Sequence, residues 1–157
     1  MNLCYYHSPV GWLRIFENGK GITMLKFLSD AKDQLTTTEA NTPLLKEAVL
    51  QLTDYFSGKR KEFTLPLDLQ GTEFQLRTWE ALQGIPYGET RTYKQIAEAI
   101  GCPKGCRAVG LANNRNPIAI VVPCHRVIGA DGSLTGYAGG LDIKERLLVI
   151  EKKYVYQ

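Results

Sequence analysis

Apolar and polar positions change their period along the chain, and each change marks a predicted element. Leu3–His7, Trp12–Phe16 and Ile22–Phe27 are short runs rich in aromatic and branched residues, the composition of strands. Pro9-Val10-Gly11 and Asn18-Gly19-Lys20-Gly21 separate them and carry turn chemistry, so an antiparallel meander is predicted. The period then lengthens. Leu44, Leu45, Ala48, Val49, Leu52 and Phe56 recur at helical spacing between an N-cap at Thr42-Pro43 and a stop at Ser57-Gly58. Phe63–Leu69 has the look of a further extended segment interrupted by Pro66. No side chain in residues 1–69 suggests chemistry, and this part is taken as scaffold.

The second half is expected to be mostly helical. Thr72–Leu82 presents Phe74, Leu76, Trp79 and Leu82 for burial, and Gly84-Ile85-Pro86 ends it. Thr92 is placed to cap a helix over Tyr93–Ile100 that stops at Gly101. Pro103 is expected in the first turn of a following helix that runs to about Ala112. Two short helices joined by a Gly-containing turn, the second basic, have the form of a helix-turn-helix; a plain helical hairpin has the same pattern. Ile118–Val122 is a continuous apolar run, which predicts a buried strand. The Gly-rich segment Gly129–Gly140 predicts a loop able to close over a substrate, or a simple hairpin. Ile143–Tyr154 predicts a final helix.

Composition narrows the class. A chain of 157 residues with 44% hydrophobic positions suits one domain or two small ones. Apolar runs are too short to span a bilayer, and Met1–Pro9 lacks the pattern of a secretory segment, so the cytoplasm is the expected compartment. There, four cysteines stay reduced and are core residues, metal ligands or a nucleophile. The net charge of +3 hides an asymmetry. Between Thr90 and Arg126 lie Arg91, Lys94, Lys104, Arg107, Arg115 and Arg126 against the single acid Glu98. A basic stripe in one segment suits phosphate neutralisation, although a solvated charged face would look the same.

Candidate chemistry collects at Pro123-Cys124-His125-Arg126. A cysteine beside an imidazole and a guanidinium is in a setting expected to favour thiolate, whereas an isolated buried cysteine is usually inert. Neighbours on extended chain face opposite ways, so His125 would reach the sulfur through a turn or a bridging water. It would need an acceptor on its other nitrogen; Glu145 and Glu151 are both near enough in sequence. Cys102, Cys106, Cys124 and His125 nominally form a zinc set, but Cys102 and Cys106 would straddle a helix start and adjacent Cys124 and His125 rarely chelate one ion.

Several of these segments together resemble the methylated-DNA–protein-cysteine methyltransferase family. They are Pro123-Cys124-His125-Arg126-Val127, Gly136-Tyr137-Ala138-Gly139-Gly140-Leu141 and Lys144 through Glu151, with Thr92-Tyr93, Arg107-Ala108-Val109-Gly110 and Asn116-Pro117 upstream. The resemblance covers roughly residues 72–155 and extends to the N-terminal part only in pattern. It implies an α+β fold with an N-terminal ribonuclease-H-like antiparallel sheet and helix (1–69). A winged-helix-like, DNA-binding and alkyl-acceptor domain would follow (70–157).

The implied activity is stoichiometric transfer of an alkyl group from O6-alkylguanine, and O4-alkylthymine, in double-stranded DNA after base flipping. It implies Cys124 as acceptor, His125 as water-linked base, Glu151 as its orienting carboxylate, Asn116 as support of the site loop, and Tyr93 as an aid to guanine departure. Arg107 would fill the gap left by the base, with Ala108, Arg115, Lys104 and Thr92 also at the DNA. Tyr137, Ala138, Val127 and Pro123 would wall the guanine pocket. No cofactor, metal or membrane is implied, and a monomer is expected.

One position departs from a pattern found in the family. Some members have serine at the position of Ala138, where a hydroxyl contacts the guanine oxygen; here only backbone N–H is available, which leaves alkyl preference open. Some bind zinc near the N-terminus, for which Cys4 and His7 do not suffice. The rival readings are a lesion-binding module without transfer, which would lack the cysteine, and a cysteine hydrolase, in which the basic helix would have no purpose. A transcriptional activator role would require further domains.

Overall fold

A computed structural model describes residues 2–28, 40–137 and 139–157. The meander forms as expected, from β1 (Asn2–Ser8), β2 (Gly11–Glu17) and β3 (Ile22–Phe27), paired antiparallel in the order β1-β2-β3. Alternation buries Leu13 and Ile15 of β2 on the face that meets α1 (Pro43–Phe56). Thr42 caps α1 by accepting from the Leu45 amide, with proline in the first turn. Leu45, Ala48, Leu52, Tyr55 and Phe56 form its buried stripe.

β3 would be an open edge, and unpaired edges invite association. Two later segments cover it. Ile22 exchanges backbone bonds with Pro66 and Asp68, and Leu25 with Pro117 and Ala119. The extended stretch expected over Phe63–Leu69 thus makes one bridge, at Leu67. The expected strand over Ile118–Val122 is absent: only Ile118 bridges to β3, at Leu25, and the chain then turns. Ile120 adopts φ +72° there, a strained conformation for a β-branched residue. The apolar run had a different cause: Ile118, Ile120 and Val122 are buried in a turn between the two halves.

The helical half follows its capping signals closely. Thr72 and Thr92 each form a reciprocal capping box, with Gln75 and Gln95, starting α2 (Glu73–Gln83) and α3 (Tyr93–Ala99). Gly101 supplies φ +78° after α3. The next helix, α4, spans Cys106–Asn114, so Pro103 lies in the preceding turn and not in the first helical turn. A Cys102–Gly105 backbone bond closes that turn. The α3–turn–α4 unit packs on α2, where Trp79 donates through Nε1 to the Ala112 carbonyl at 2.9 Å. The short parallel pair β4 (Arg91–Thr92) and β5 (Val127–Ile128) ties the unit to the chain leaving the cysteine. The last helix, α5 (Leu141–Tyr154), brings its buried Lys144, Leu147 and Glu151 back to that point. No described helix is long and apolar enough to cross a membrane.

Candidate active site

Cys124 opens a single 3₁₀ turn, Cys124–Arg126. The turn supplies the reversal that extended chain would not: it sends His125 and Arg126 inward, where both are buried. Asn116 shapes the approach. Its Nδ2 donates to the Val122 carbonyl at 2.7 Å and its Oδ1 accepts from the Ile118 amide at 2.9 Å. Asn113 Nδ2 donates to the Cys124 carbonyl at 3.3 Å. Two asparagines on and just after α4 therefore hold the cysteine loop.

Glu151, 1% exposed, is the hub beneath it and Glu145 is exposed on the same helix. Oε2 lies 2.6 Å from His125 Nε2, accepts from the Tyr55 hydroxyl at 2.6 Å and accepts from Arg126 Nη2 at 3.0 Å. Oε1 accepts from Arg126 Nε at 2.8 Å and the Gly88 amide at 3.3 Å. Burial alone would push the Glu151 carboxyl up; His125 and Arg126 outweigh it and hold it well below the usual range. An ionised carboxylate can only accept, so the shared proton sits on Nε2 and His125 Nδ1 keeps its lone pair. Nδ1 is buried and bonds no described protein group. Burial also lowers the His125 pKa, against the pull of Glu151, so the ring is neutral near pH 7.

The cysteine environment differs from the thiolate-favouring one expected. Burial pushes Cys124 up to about 11, despite lowering by the Asn116 hydrogen bond and the Lys144 charge. The flanking cations do not relieve it, because Arg126 is committed to Glu151 and His125 is neutral. At pH 7 the sulfur is therefore held almost entirely as the neutral thiol. Such a thiol reacts only if a base takes its proton.

A cavity of about 130 Å³ exposes Cys124 to its surroundings, lined among others by Phe27, Asn116, Arg115 and Tyr137. It is smaller than usual drug-sized ligand pockets. A shallow mouth of about 330 Å³ lies beside it, lined by Tyr93, Arg107, Gly110, Thr135 and Gly136, and Asn114 borders both. Tyr93 donates to the Thr135 carbonyl at 2.9 Å, which also accepts from Lys144 Nζ at 2.8 Å. Arg107, Ala108 and Lys104 are exposed on or just before α4, and Arg115 is exposed just after it. Thr92 is occupied in capping α3. Pro123 and Val127 are buried and do not line the cysteine cavity; Pro123 borders a separate cleft with Tyr87 and Arg126. Ala138 lies outside the described residues.

Sequence reasoning missed Tyr55, Phe27 and Lys144 as contributors. The first two come from the part read as scaffold: Phe27 was read only as the end of a strand, and Tyr55 was not singled out. Lys144 is wholly buried, and burial lowers its pKa to about 8; a lysine in an amphipathic helix gives no sign of facing inward. Cys4 points into the core and His7 stacks on Trp12. No cluster of three or more metal-ligating side chains occurs among the described residues.

Two family models match, the 6-O-methylguanine DNA methyltransferase ribonuclease-like domain over residues 2–69 and its DNA binding domain over 73–153. A methylated-DNA–protein-cysteine methyltransferase of Methanosarcina barkeri is 56% identical over 147 residues, covering 92% of this chain and 93% of that protein. One from Mycobacterium tuberculosis is 52% identical over 146 residues, covering 92% and 88%. Among solved structures, the O6-methylguanine methyltransferase of M. tuberculosis matches with a TM-score of 0.87 at 48% identity, covering 98% of this chain and 93% of that one. The M. tuberculosis OGT in complex with DNA matches at 0.85 and 49%, covering 96% and 92%. With both halves matched in order, the chain belongs to the 6-O-methylguanine DNA methyltransferase family.

Proposed function

We propose that this protein repairs DNA by moving an alkyl group from O6 of guanine onto Cys124, once per molecule. The observation that carries this is the arrangement at Cys124. A buried thiol faces a small cavity, and its neighbour His125 is fixed by Glu151 with Nδ1 left free to accept. O4-alkylthymine is the second substrate we assign. Residues 1–69 form the ribonuclease-H-like part and 70–157 the DNA-binding and acceptor part of a monomer. The cytoplasm is its compartment, in keeping with four free cysteines.

A base within a duplex is out of reach, so the nucleotide must be extruded at a cost of a few kcal/mol. The exposed Arg107 of α4, beside the mouth, fills the vacated stack and offsets part of that cost. Lys104 and Arg115 neutralise phosphates, and Tyr93 crowds the backbone and steadies the flipped nucleotide. Guanine then enters along Tyr137, with its alkyl carbon toward the sulfur.

His125 Nδ1 takes the Cys124 proton through a water molecule. The thiolate forms the S–C bond as the C–O6 bond breaks, and that electron pair leaves with guanine. Tyr93 protonates the departing ring and recovers its proton from imidazolium through solvent, so the thiol proton ends on guanine. The product thioether has no described nucleophile positioned to remove it. Titrating the protein with excess O6-methylguanine duplex tests the stoichiometry. Transfer should stop at one alkyl per protein; a second equivalent would overturn the single-use mechanism.

A further inference from the structure

We propose that Tyr55, on the N-terminal α1, is a positioning residue for alkyl transfer, its hydroxyl holding Glu151 and thereby setting how strongly His125 binds a proton. This rests on the reading of His125 as acceptor of the Cys124 proton. Tyr55 and Glu151 are 96 positions apart and both wholly buried, yet their oxygens are 2.6 Å apart. The ring cannot readily swing away: it packs edge-on to Phe56 and Tyr87 and against Phe63. Charge-assisted bonds of this length are among the strong ones.

Tyr55 and His125 share one acceptor atom, Oε2. A hydroxyl proton on Oε2 drains charge from it and weakens its hold on an imidazolium. Without that donor the carboxylate becomes a better partner for protonated His125. The other groups around the ring are Arg126 of the 3₁₀ turn, and Lys144 and Glu151 of α5, with Tyr87 over Arg126. Apart from Glu151, through which the hydroxyl acts, these groups are not bonded to the Tyr55 oxygen, so that oxygen's effect can be isolated. The hydroxyl keeps His125 neutral, and able to accept, further into the acid range. The N-terminal part thus tunes the chemistry as well as supporting it.

The test is the pH profile of single-turnover methyl transfer from an O6-methylguanine duplex. Wild type should lose rate on the acid side in a limb absent from His125→Asn. In Tyr55→Phe that limb should move up by roughly half to one pH unit, with the neutral plateau kept within about threefold. Tyr87→Phe removes a buried hydroxyl with no bonded partner and should leave the limb in place. Site-specific 3-fluorotyrosine at position 55 retains the ring and strengthens the donor, so it should move the limb down; it serves even if Tyr55→Phe fails to fold. A limb unmoved by either change overturns the role of Tyr55 alone. Absence of a His125-dependent limb in wild type overturns this role together with the base assignment.

Discussion

Glu151 shows how one residue organises several others. It is buried and ionised, and its two oxygens accept from Tyr55, His125, Arg126 and the Gly88 amide. Replacing it by glutamine would keep the shape but leave Arg126 without a counter-charge and turn one of two accepting oxygens into an amide donor facing other donors. Glu151→Gln should lower stability by about 3 kcal/mol in urea denaturation and slow transfer roughly 100-fold. Cys124 makes a different prediction. Its pKa is raised to about 11, so its contribution to stability is fully present below the unfolded value and lost as pH rises toward 11. Between about pH 9 and 11 stability should fall with a slope up to one proton shallower in Cys124→Ser than in wild type. Equal slopes, by denaturation across that range, would contradict the burial of the thiol. Cys124, His125 and Glu151 were named together because several segments in register carried the resemblance, and the fold brings the three to one place. Tyr55 was not among them, since a tyrosine in a helical apolar stripe looks the same whether or not its hydroxyl reaches across the fold.

Among the elements, α4 carries the prediction about DNA. Its one basic residue, Arg107, and the flanking Lys104 and Arg115 are exposed while Val109, Ala112 and Asn113 pack inward, which leaves one face free for a groove. Arg107→Ala should slow transfer from duplex about tenfold, which corresponds to about 1.4 kcal/mol of the unstacking cost left uncompensated. Transfer from a single strand carrying the same lesion should be nearly unaffected, and equal losses on both would refute the stacking role. Lys104→Ala should lower the salt dependence of duplex binding by about one unit of slope. Helix starts at Thr42 and Thr92 were readable because capping is local chemistry, and the start near Thr72 because its apolar positions recur at helical spacing. The misplaced strand over Ile118–Val122 shows the limit of such reading. An apolar run records burial, and burial here comes from a turn seated between two halves, a fact carried by Leu25 far away in sequence.

At the scale of the whole molecule, the site belongs to neither half. Cys124, His125 and Glu151 come from the C-terminal part, while Tyr55 and the Phe27 wall come from the N-terminal part. A chain of residues 70–157 alone would retain every motif residue and lose both supports. It should transfer at least about tenfold more slowly than the intact protein even where circular dichroism shows it folded. The most direct test of the central claim is intact-protein mass after incubation with a duplex containing O6-methylguanine, for wild type and Cys124→Ala. The account predicts a gain of one methyl in wild type, mapped to Cys124, and no gain in the variant. Binding of the duplex with no change in mass, or methylation of Cys124→Ala, would contradict it.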